Sequence, residues 1–105
     1  MTRAGIMREV QVGSPYNAPM SVIPKRSGGL RIVVDLRGLN NVIKGQKWPL
    51  PNLTELLEGF KDAKLFTSYD FTSAFFHIVI DEKSQPLTAF SAMNRQYMYQ
   101  RLPMG

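Results

Sequence analysis

The sequence has no cysteine, and only one tryptophan and one histidine among its 105 residues. The lack of thiols excludes a disulfide scaffold and a thiolate metal site, and it suits an intracellular setting. Long apolar runs are missing too. None approaches the roughly 20 residues that span a bilayer, and Met1-Thr2-Arg3-Ala4-Gly5-Ile6 lacks the apolar centre of a secretory signal. Acid is in deficit, with eight Asp and Glu against thirteen Lys and Arg, a formal charge of +5. That balance suits a polyanionic partner, and because the cations are scattered there is no basic tail. No internal repeat or low-complexity stretch is present. The 44% of hydrophobic residues is enough for a real core in one small domain or part of a larger one. Pro103-Met104-Gly105 is a turn signal with no closing element after it, so the sequence reads as stopping in mid-domain.

The most informative stretch is Leu65-Phe66-Thr67-Ser68-Tyr69-Asp70-Phe71-Thr72-Ser73-Ala74-Phe75-Phe76-His77-Ile78-Val79-Ile80. An apolar and aromatic run ends on one carboxylate, Thr72-Ser73-Ala74 make a turn, and a second run of aromatic and β-branched residues leads away. Leu65 to Asp70 and Phe75 to Ile80 therefore both read as strands. An acid at the end of a buried strand, where the chain turns, sits at the rim of a sheet. There Asp70 either opens the turn by hydrogen-bonding its own backbone or holds a metal, and spacing alone leaves both readings open. Phe76 and Ile78 read as core, and His77 has no partner ligands. Asp81 and Glu82 follow the second strand, which at about 3.3 Å per residue puts them roughly 17 Å from Asp70, too far to share a site with it.

The chain before this stretch begins with a lead-in, residues 1–13, in which Arg8-Glu9-Val10-Gln11-Val12 alternates as a short edge strand. Pro15 and Pro19 flank Tyr16 and Asn17 and fix an extended turn. Met20 to Pro24 and Leu30 to Leu36 read as strands joined by the tip Lys25-Arg26-Ser27-Gly28-Gly29. With Lys25 and Arg26 on the tip and Arg31 on the returning strand, three cations meet on one small surface. Such a tip can close over a triphosphate, arginine by forked hydrogen bonds and lysine as a point charge. Equally, basic residues on a hairpin guard its edge against aggregation. Asp35 and Arg37 share a face and form a structural pair. Gly38 to Asn41 is a turn, and 42–48 is irregular. Asn52 caps a helix, with Glu55 three residues on, and Leu53, Leu56, Leu57 and Phe60 recur at helical spacing as a core face. Leu87 to Ala92 and Gln96 to Gln100 form a further hairpin around Met93-Asn94-Arg95. A hairpin, a helix and then an antiparallel meander argue for an α+β fold.

The segment Tyr69-Asp70-Phe71-Thr72-Ser73-Ala74-Phe75-Phe76-His77-Ile78, followed by Ser84-Gln85-Pro86-Leu87-Thr88-Ala89-Phe90, resembles the first catalytic motif of reverse transcriptases of the retroviral and long-terminal-repeat retrotransposon type. Ser14-Pro15-Tyr16-Asn17-Ala18-Pro19 and Arg31-Ile32-Val33-Val34-Asp35-Leu36-Arg37-Gly38-Leu39-Asn40 resemble the fingers motifs of that family in the same order, and Arg101-Leu102-Pro103-Met104-Gly105 resembles the start of its next motif.

This resemblance implies a partial right-hand polymerase fold. Residues 14–48 would be the fingers β-hairpin region, and 49–105 the start of the palm, an antiparallel sheet with one packed helix, incomplete before a Tyr-X-Asp-Asp motif. The implied activity is that of an RNA-directed DNA polymerase from a retroelement Pol polyprotein, a nucleotidyltransferase acting on a primer 3′-hydroxyl. Carried over by motif, Asp70 is the catalytic carboxylate and a metal ligand, joined by the backbone carbonyl of Phe71. Arg31 matches the fingers arginine that meets the nucleotide's phosphates, and Lys25, or alternatively Arg26, matches the fingers lysine. Phe71 and Phe75 belong to the deoxynucleotide site, with the Phe75 ring under the sugar. The implied cofactor is Mg²⁺, with Mn²⁺ as an alternative. The implied partners are an RNA or DNA template-primer, deoxynucleoside triphosphates and the remainder of the Pol polyprotein, with no membrane, in the cytoplasm or a retroelement particle. Met104 stands where many retroviral members carry Gln, which points to the retrotransposon branch, and Tyr69 replaces a usual apolar residue. Because one carboxylate of three is present, the 105-residue chain is expected to be inactive alone. Two further readings stay open: a non-catalytic remnant whose basic sheet holds nucleic acid by phosphate contacts, and a truncated product without a stable fold.

Overall fold

Two tight turns decide where sheet forms in the computed structural model, which describes residues 4–105. Of the expected lead-in, 1–3 lie outside the described residues. At the first turn Gly28 and Gly29 take φ of +87° and +86°, a conformation that glycine adopts without steric cost. There Lys25 N–H donates to Gly29 O at 2.9 Å and Gly28 N–H to Lys25 O at 3.1 Å. The turn folds β2 (Met20–Pro24) antiparallel onto β3 (Leu30–Val34), with Ile23 opposite Arg31. At the second, Met93 and Asn94 have φ of 50° and 59°, the twist that a two-residue hairpin requires. It folds β4 (Phe90–Ala92) onto β5 (Arg95–Tyr99), and β1 (Met7–Glu9) adds to the far edge of β5, so the second sheet has the order β1-β5-β4. Both hairpins form as expected but with other bounds: β3 ends at Val34 rather than Leu36, β4 begins at Phe90 because Gln85–Thr88 is a 3₁₀ turn, β5 spans Arg95–Tyr99 rather than Gln96 to Gln100, and the edge strand is Met7–Glu9 rather than part of 8–12.

The two sheets join through a small core. Phe90 is 1% exposed and clusters with Met7, Val34, Leu36 and Tyr99. Its ring lies 5.5 Å from that of Tyr99 and 6.0 Å from that of Tyr97. Backbone bonds from Ala18 N–H to Ala89 O at 2.7 Å and from Asp35 N–H to Pro19 O at 2.8 Å fasten the hairpin base to this core. A 3₁₀ turn, Gln85–Thr88, leads into β4 and buries Thr88, whose hydroxyl donates to Gln85 O and accepts from Tyr99 N–H.

Four local expectations are corrected. Leu65 to Asp70 is extended but belongs to no sheet, because no strand lies beside it among the described residues. Phe75 to Ile80 is not one strand. Ser73 takes the left-handed conformation, φ 53°, which bends the chain into a 3₁₀ turn, Ala74–His77, closed by Phe76 N–H to Ser73 O at 2.9 Å. Extended pairing resumes only beyond it, with Ile80 N–H on Gln100 O and Leu102 N–H on Ile78 O, each at 2.9 Å. A 3₁₀ turn rises about 2 Å per residue, so Asp81 and Glu82 follow a shorter path from Asp70 than a strand would give. Third, the helix expected as core, α2 (Leu53–Glu58), buries none of its residues, and Leu53, Leu56, Leu57 and Phe60 are all exposed. Its N-cap is as expected, the Asn52 side chain accepting from Thr54 N–H at 3.0 Å. Gly38 to Asn41, expected as a turn, largely falls in one helical turn, α1 (Arg37–Asn40). The radius of gyration is 18.2 Å, against about 13 Å for a compact domain of this length; the exposed helix and the unpaired 63–71 segment fit that excess.

Candidate functional site

The fingers-like hairpin holds its cations in water. Lys25 and Arg26 occupy the exposed tip, and Arg31 is exposed one pair below the last ladder pair, Pro24 and Leu30. The Arg31 Nη2 donates to Met104 Sδ at 3.1 Å, and Asn40 Nδ2 donates to Gly105 O at 2.7 Å. These two contacts bring both ends of the second fingers motif, 31–40, against the motif at 101–105. Sequence reasoning noted Met104 only as a departure and Asn40 only as a turn residue. Nothing local signals a contact across 73 residues.

Asp70 and Phe71 sit in the exposed segment between the unpaired run and the Ser73 bend, and Phe75 is 48% exposed on the 3₁₀ turn. No hydrogen bond or ion pair joins Asp70 to Lys25, Arg26 or Arg31 among the described residues, where the ion pairs are Arg37–Asp35 and Arg95–Glu9. An exposed carboxylate free of internal partners is available to a cation. It is also one ligand only: no group of three His, Asp or Glu side chains that could hold a metal occurs among the described residues. Hard oxygen donors suit Mg²⁺, which one or two carboxylates hold together with substrate phosphates and waters. Asp70 fits as one such donor, but this chain does not complete a site.

Asp35 and Arg37 pair as expected, though beyond the strand. The Arg37 side chain forks onto both Asp35 oxygens, Nη2 to Oδ2 at 2.6 Å and Nε to Oδ1 at 2.9 Å, and its backbone N–H reaches Oδ1 at 3.1 Å. These side-chain bonds first, then the backbone bond, lower the Asp35 carboxyl to about 2, and the same pairing raises Arg37. The unfolded carboxyl titrates near 3.9. The stability this pair contributes is therefore complete above that value and lost as pH falls through about 2. The carboxyl is 36% exposed, so the contribution is small; what should be visible is the titration itself. A ¹³C-detected titration of Asp35 is expected to show a midpoint near 2, returning to the ordinary range in Arg37→Gln.

Gln96 is a further residue the sequence did not mark. Its side chain accepts from Ser14 N–H at 2.7 Å and donates to Ser14 O and Tyr16 O, and Ser91 Oγ donates to Asn17 Oδ1 at 2.8 Å. Strands β4 and β5 thereby fix the proline-flanked turn that leads into the hairpin. No helix among the described residues is long and apolar enough to cross a membrane.

Comparison with known proteins places this geometry. A family model described as reverse transcriptase (RNA-dependent DNA polymerase) matches residues 23–105. The retrovirus-related Pol polyprotein from transposon 297 of Drosophila melanogaster is 38% identical over 110 aligned residues, 100% of this chain and 10% of that polyprotein. The chain thus spans about a tenth of that relative. Among solved structures, a mutant of the prototype foamy virus protease-reverse transcriptase superposes with a TM-score of 0.81 at 29% identity, covering 99% of this chain and 14% of that one. The foamy viral protease-reverse transcriptase in complex with dsDNA gives a TM-score of 0.72 at 25% identity, over 99% of this chain and 21% of that one.

Proposed function

Since the chain belongs to the reverse transcriptase family, we propose that it is the fingers region, 14–48, and the start of the palm, 49–105, of a retroelement RNA-directed DNA polymerase. In the whole polyprotein the segment takes part in template-directed addition of deoxynucleotides to a primer 3′-hydroxyl. The observation that carries this reading is the 3.1 Å contact of Arg31 with Met104, which ties the cationic hairpin to the far end of the family match. Arg31 offers a planar fork to phosphate oxygens, with Lys25, or Arg26 in its place, as a mobile point charge at the glycine tip. Asp70 and the Phe71 carbonyl supply oxygen ligands for Mg²⁺, or Mn²⁺ in its place, which would neutralise charge on the triphosphate. The partners are a template-primer and deoxynucleoside triphosphates, and the foamy viral relative was solved with dsDNA.

Phe75 acts by volume. An aromatic ring against the sugar leaves no room for a 2′-hydroxyl and offers it no hydrogen bond. Phe75→Val in the complete enzyme is expected to raise ribonucleotide incorporation relative to deoxynucleotide by at least about tenfold, since each ~1.4 kcal/mol of lost discrimination is a factor of ten. Unchanged selectivity in competing-nucleotide primer extension would remove Phe75 from this role. The 105-residue chain alone has one carboxylate where the reaction needs several. It is expected to give no Mg²⁺-dependent primer extension above background, and measurable extension would refute the division of the site proposed here.

A further inference from the structure

Ser27 is the only hydroxyl residue on the cationic hairpin tip, and the polymerase reading gives it no role. It follows Lys25 and Arg26 directly, and no other serine in the chain has two cations immediately before it. The turn is closed by Gly28 N–H on Lys25 O at 3.1 Å, which makes Arg26 and Ser27 its two central residues. Both are exposed. Among the described residues the Ser27 hydroxyl has no hydrogen-bond partner, whereas Ser14 Oγ donates to Pro86 O at 3.0 Å and Ser91 Oγ to Asn17 Oδ1 at 2.8 Å. Ser73 is held in a left-handed bend, and Ser84 follows Asp81 and Glu82. Ser27 therefore combines a free hydroxyl, access from solvent and adjacent positive charge. The glycines after it, both at positive φ, let the tip open without disturbing the ladder, which ends at Pro24 and Leu30.

Charge patterns around an acceptor residue select the kinase that modifies it, and two cations just before the serine fit a cleft lined with acid. We infer that Ser27 is a phosphorylation site for a serine/threonine kinase with such a cleft, and that its phosphate then turns back on Lys25 and Arg26 and withdraws them from any external polyanion. In the transfer Ser27 Oγ attacks the γ-phosphorus of ATP. The Oγ–P bond forms as the bond from that phosphorus to the β–γ bridging oxygen breaks, ADP leaves, and the hydroxyl proton passes to the kinase's base. The product carries about −1.5 to −2 of charge and makes about one to three charge-assisted hydrogen bonds beside a basic cluster. Set against Lys25, Arg26 and Arg31, it cancels up to about two charges of three. Arg31 lies three residues beyond Gly28, about 10 Å along a strand, which is roughly one Debye length. It is therefore weakened less than the tip pair and keeps its contact with Met104. The effect on polymerisation rests on the proposed function; the modification itself does not.

In the complete enzyme, phosphorylation is expected to raise KM for the nucleotide by about tenfold with little change in kcat. If Arg31→Lys raises KM and phosphorylation does not, the withdrawal of the tip cations is overturned. If neither raises KM, the hairpin's role towards the triphosphate is what fails, and the modification is decided on the 105-residue chain. That chain is incubated with MgATP and the catalytic domain of a kinase that prefers basic residues before serine, and the products are mapped by mass spectrometry. Ser27 is expected to take most of the phosphate. Ser27→Ala should cut total incorporation by at least about tenfold, and Lys25→Gln with Arg26→Gln should do the same by removing the charges that the cleft reads. In ³¹P NMR the second ionisation of the phosphate is expected below its ordinary value of about 6, because neighbouring cations favour the dianion. It should return towards that value in about 1 M salt, where the Debye length is about 3 Å. Phosphate spread over other serines, undiminished incorporation in Ser27→Ala, or a second ionisation near 6 that salt does not move would each overturn the inference. The wild-type map and the ³¹P titration decide it even where a variant fails to fold.

Discussion

Asp70→Asn in a polymerase that contains this segment is expected to lower primer extension by at least about a thousandfold, since losing several kcal/mol of metal-borne charge stabilisation costs a factor of ten for each ~1.4 kcal/mol. The substitution keeps the shape of the side chain and removes its charge. Because Asp70 is exposed and joins neither ion pair among the described residues, the fold has little to lose, and the change in stability should stay within about 0.5 kcal/mol. The measurement is single-nucleotide addition at saturating Mg²⁺ beside a thermal melt of the same protein. A large loss of rate at constant Tm assigns the effect to chemistry. Arg31→Lys makes the contrast: it keeps a cation but loses the planar fork, so it should act more weakly and chiefly by raising KM for the nucleotide. Activity of the Asp70→Asn enzyme within tenfold of wild type would end the assignment.

How much of this could be read from the sequence differs by element. Both hairpins were legible because the signals are local. Gly28-Gly29 permits positive φ, and alternating apolar residues flank each turn. The Asn52 cap was legible for the same reason. The stretch around Asp70 was not, since Leu65 to Asp70 and Phe75 to Ile80 have strand composition but composition does not supply a neighbour. A strand is a property of two segments, and Leu65 to Asp70 lacks the second one. The Ser73 bend was equally hidden, because serine takes the left-handed region seldom and only when its surroundings demand it. Helical spacing predicted that Leu53, Leu56, Leu57 and Phe60 would share a face, but not that this face would stay exposed. Of the candidate site, the motifs named Lys25, Arg26, Arg31, Asp70, Phe71 and Phe75. The contacts that brace it, Arg31 with Met104, Asn40 with Gly105 and Gln96 with Ser14, join segments far apart in the chain and have no local signature.

Phe90→Ala is expected to destabilise the chain by about 3–5 kcal/mol, the cost of removing a large buried aromatic side chain and leaving a cavity. Phe90 is 1% exposed and is the largest fully buried side chain among the described residues. The rings of Tyr97 and Tyr99 would lose their shared neighbour. Net stabilities of domains are about 5–15 kcal/mol, and a core of five buried residues belongs at the low end, so the variant should be largely unfolded in mild denaturant. Leu57→Ala is the control: equally apolar but 60% exposed on α2, it should change the unfolding free energy measured in urea by less than about 0.5 kcal/mol. The effect reaches the site through β5. That strand carries Tyr97 and Tyr99 in the core and leads directly into 100–105, where Met104 meets Arg31 and Gly105 meets Asn40. Loosening Phe90 should therefore release the Arg31 contact before the hairpin itself opens, since the β2–β3 ladder closes on its own glycine turn. In hydrogen exchange of the variant, the amides of 97–102 should lose protection ahead of those of 21–23 and 31–33. Simultaneous loss at both sets would show that the hairpin and the three-stranded sheet open as a single unit.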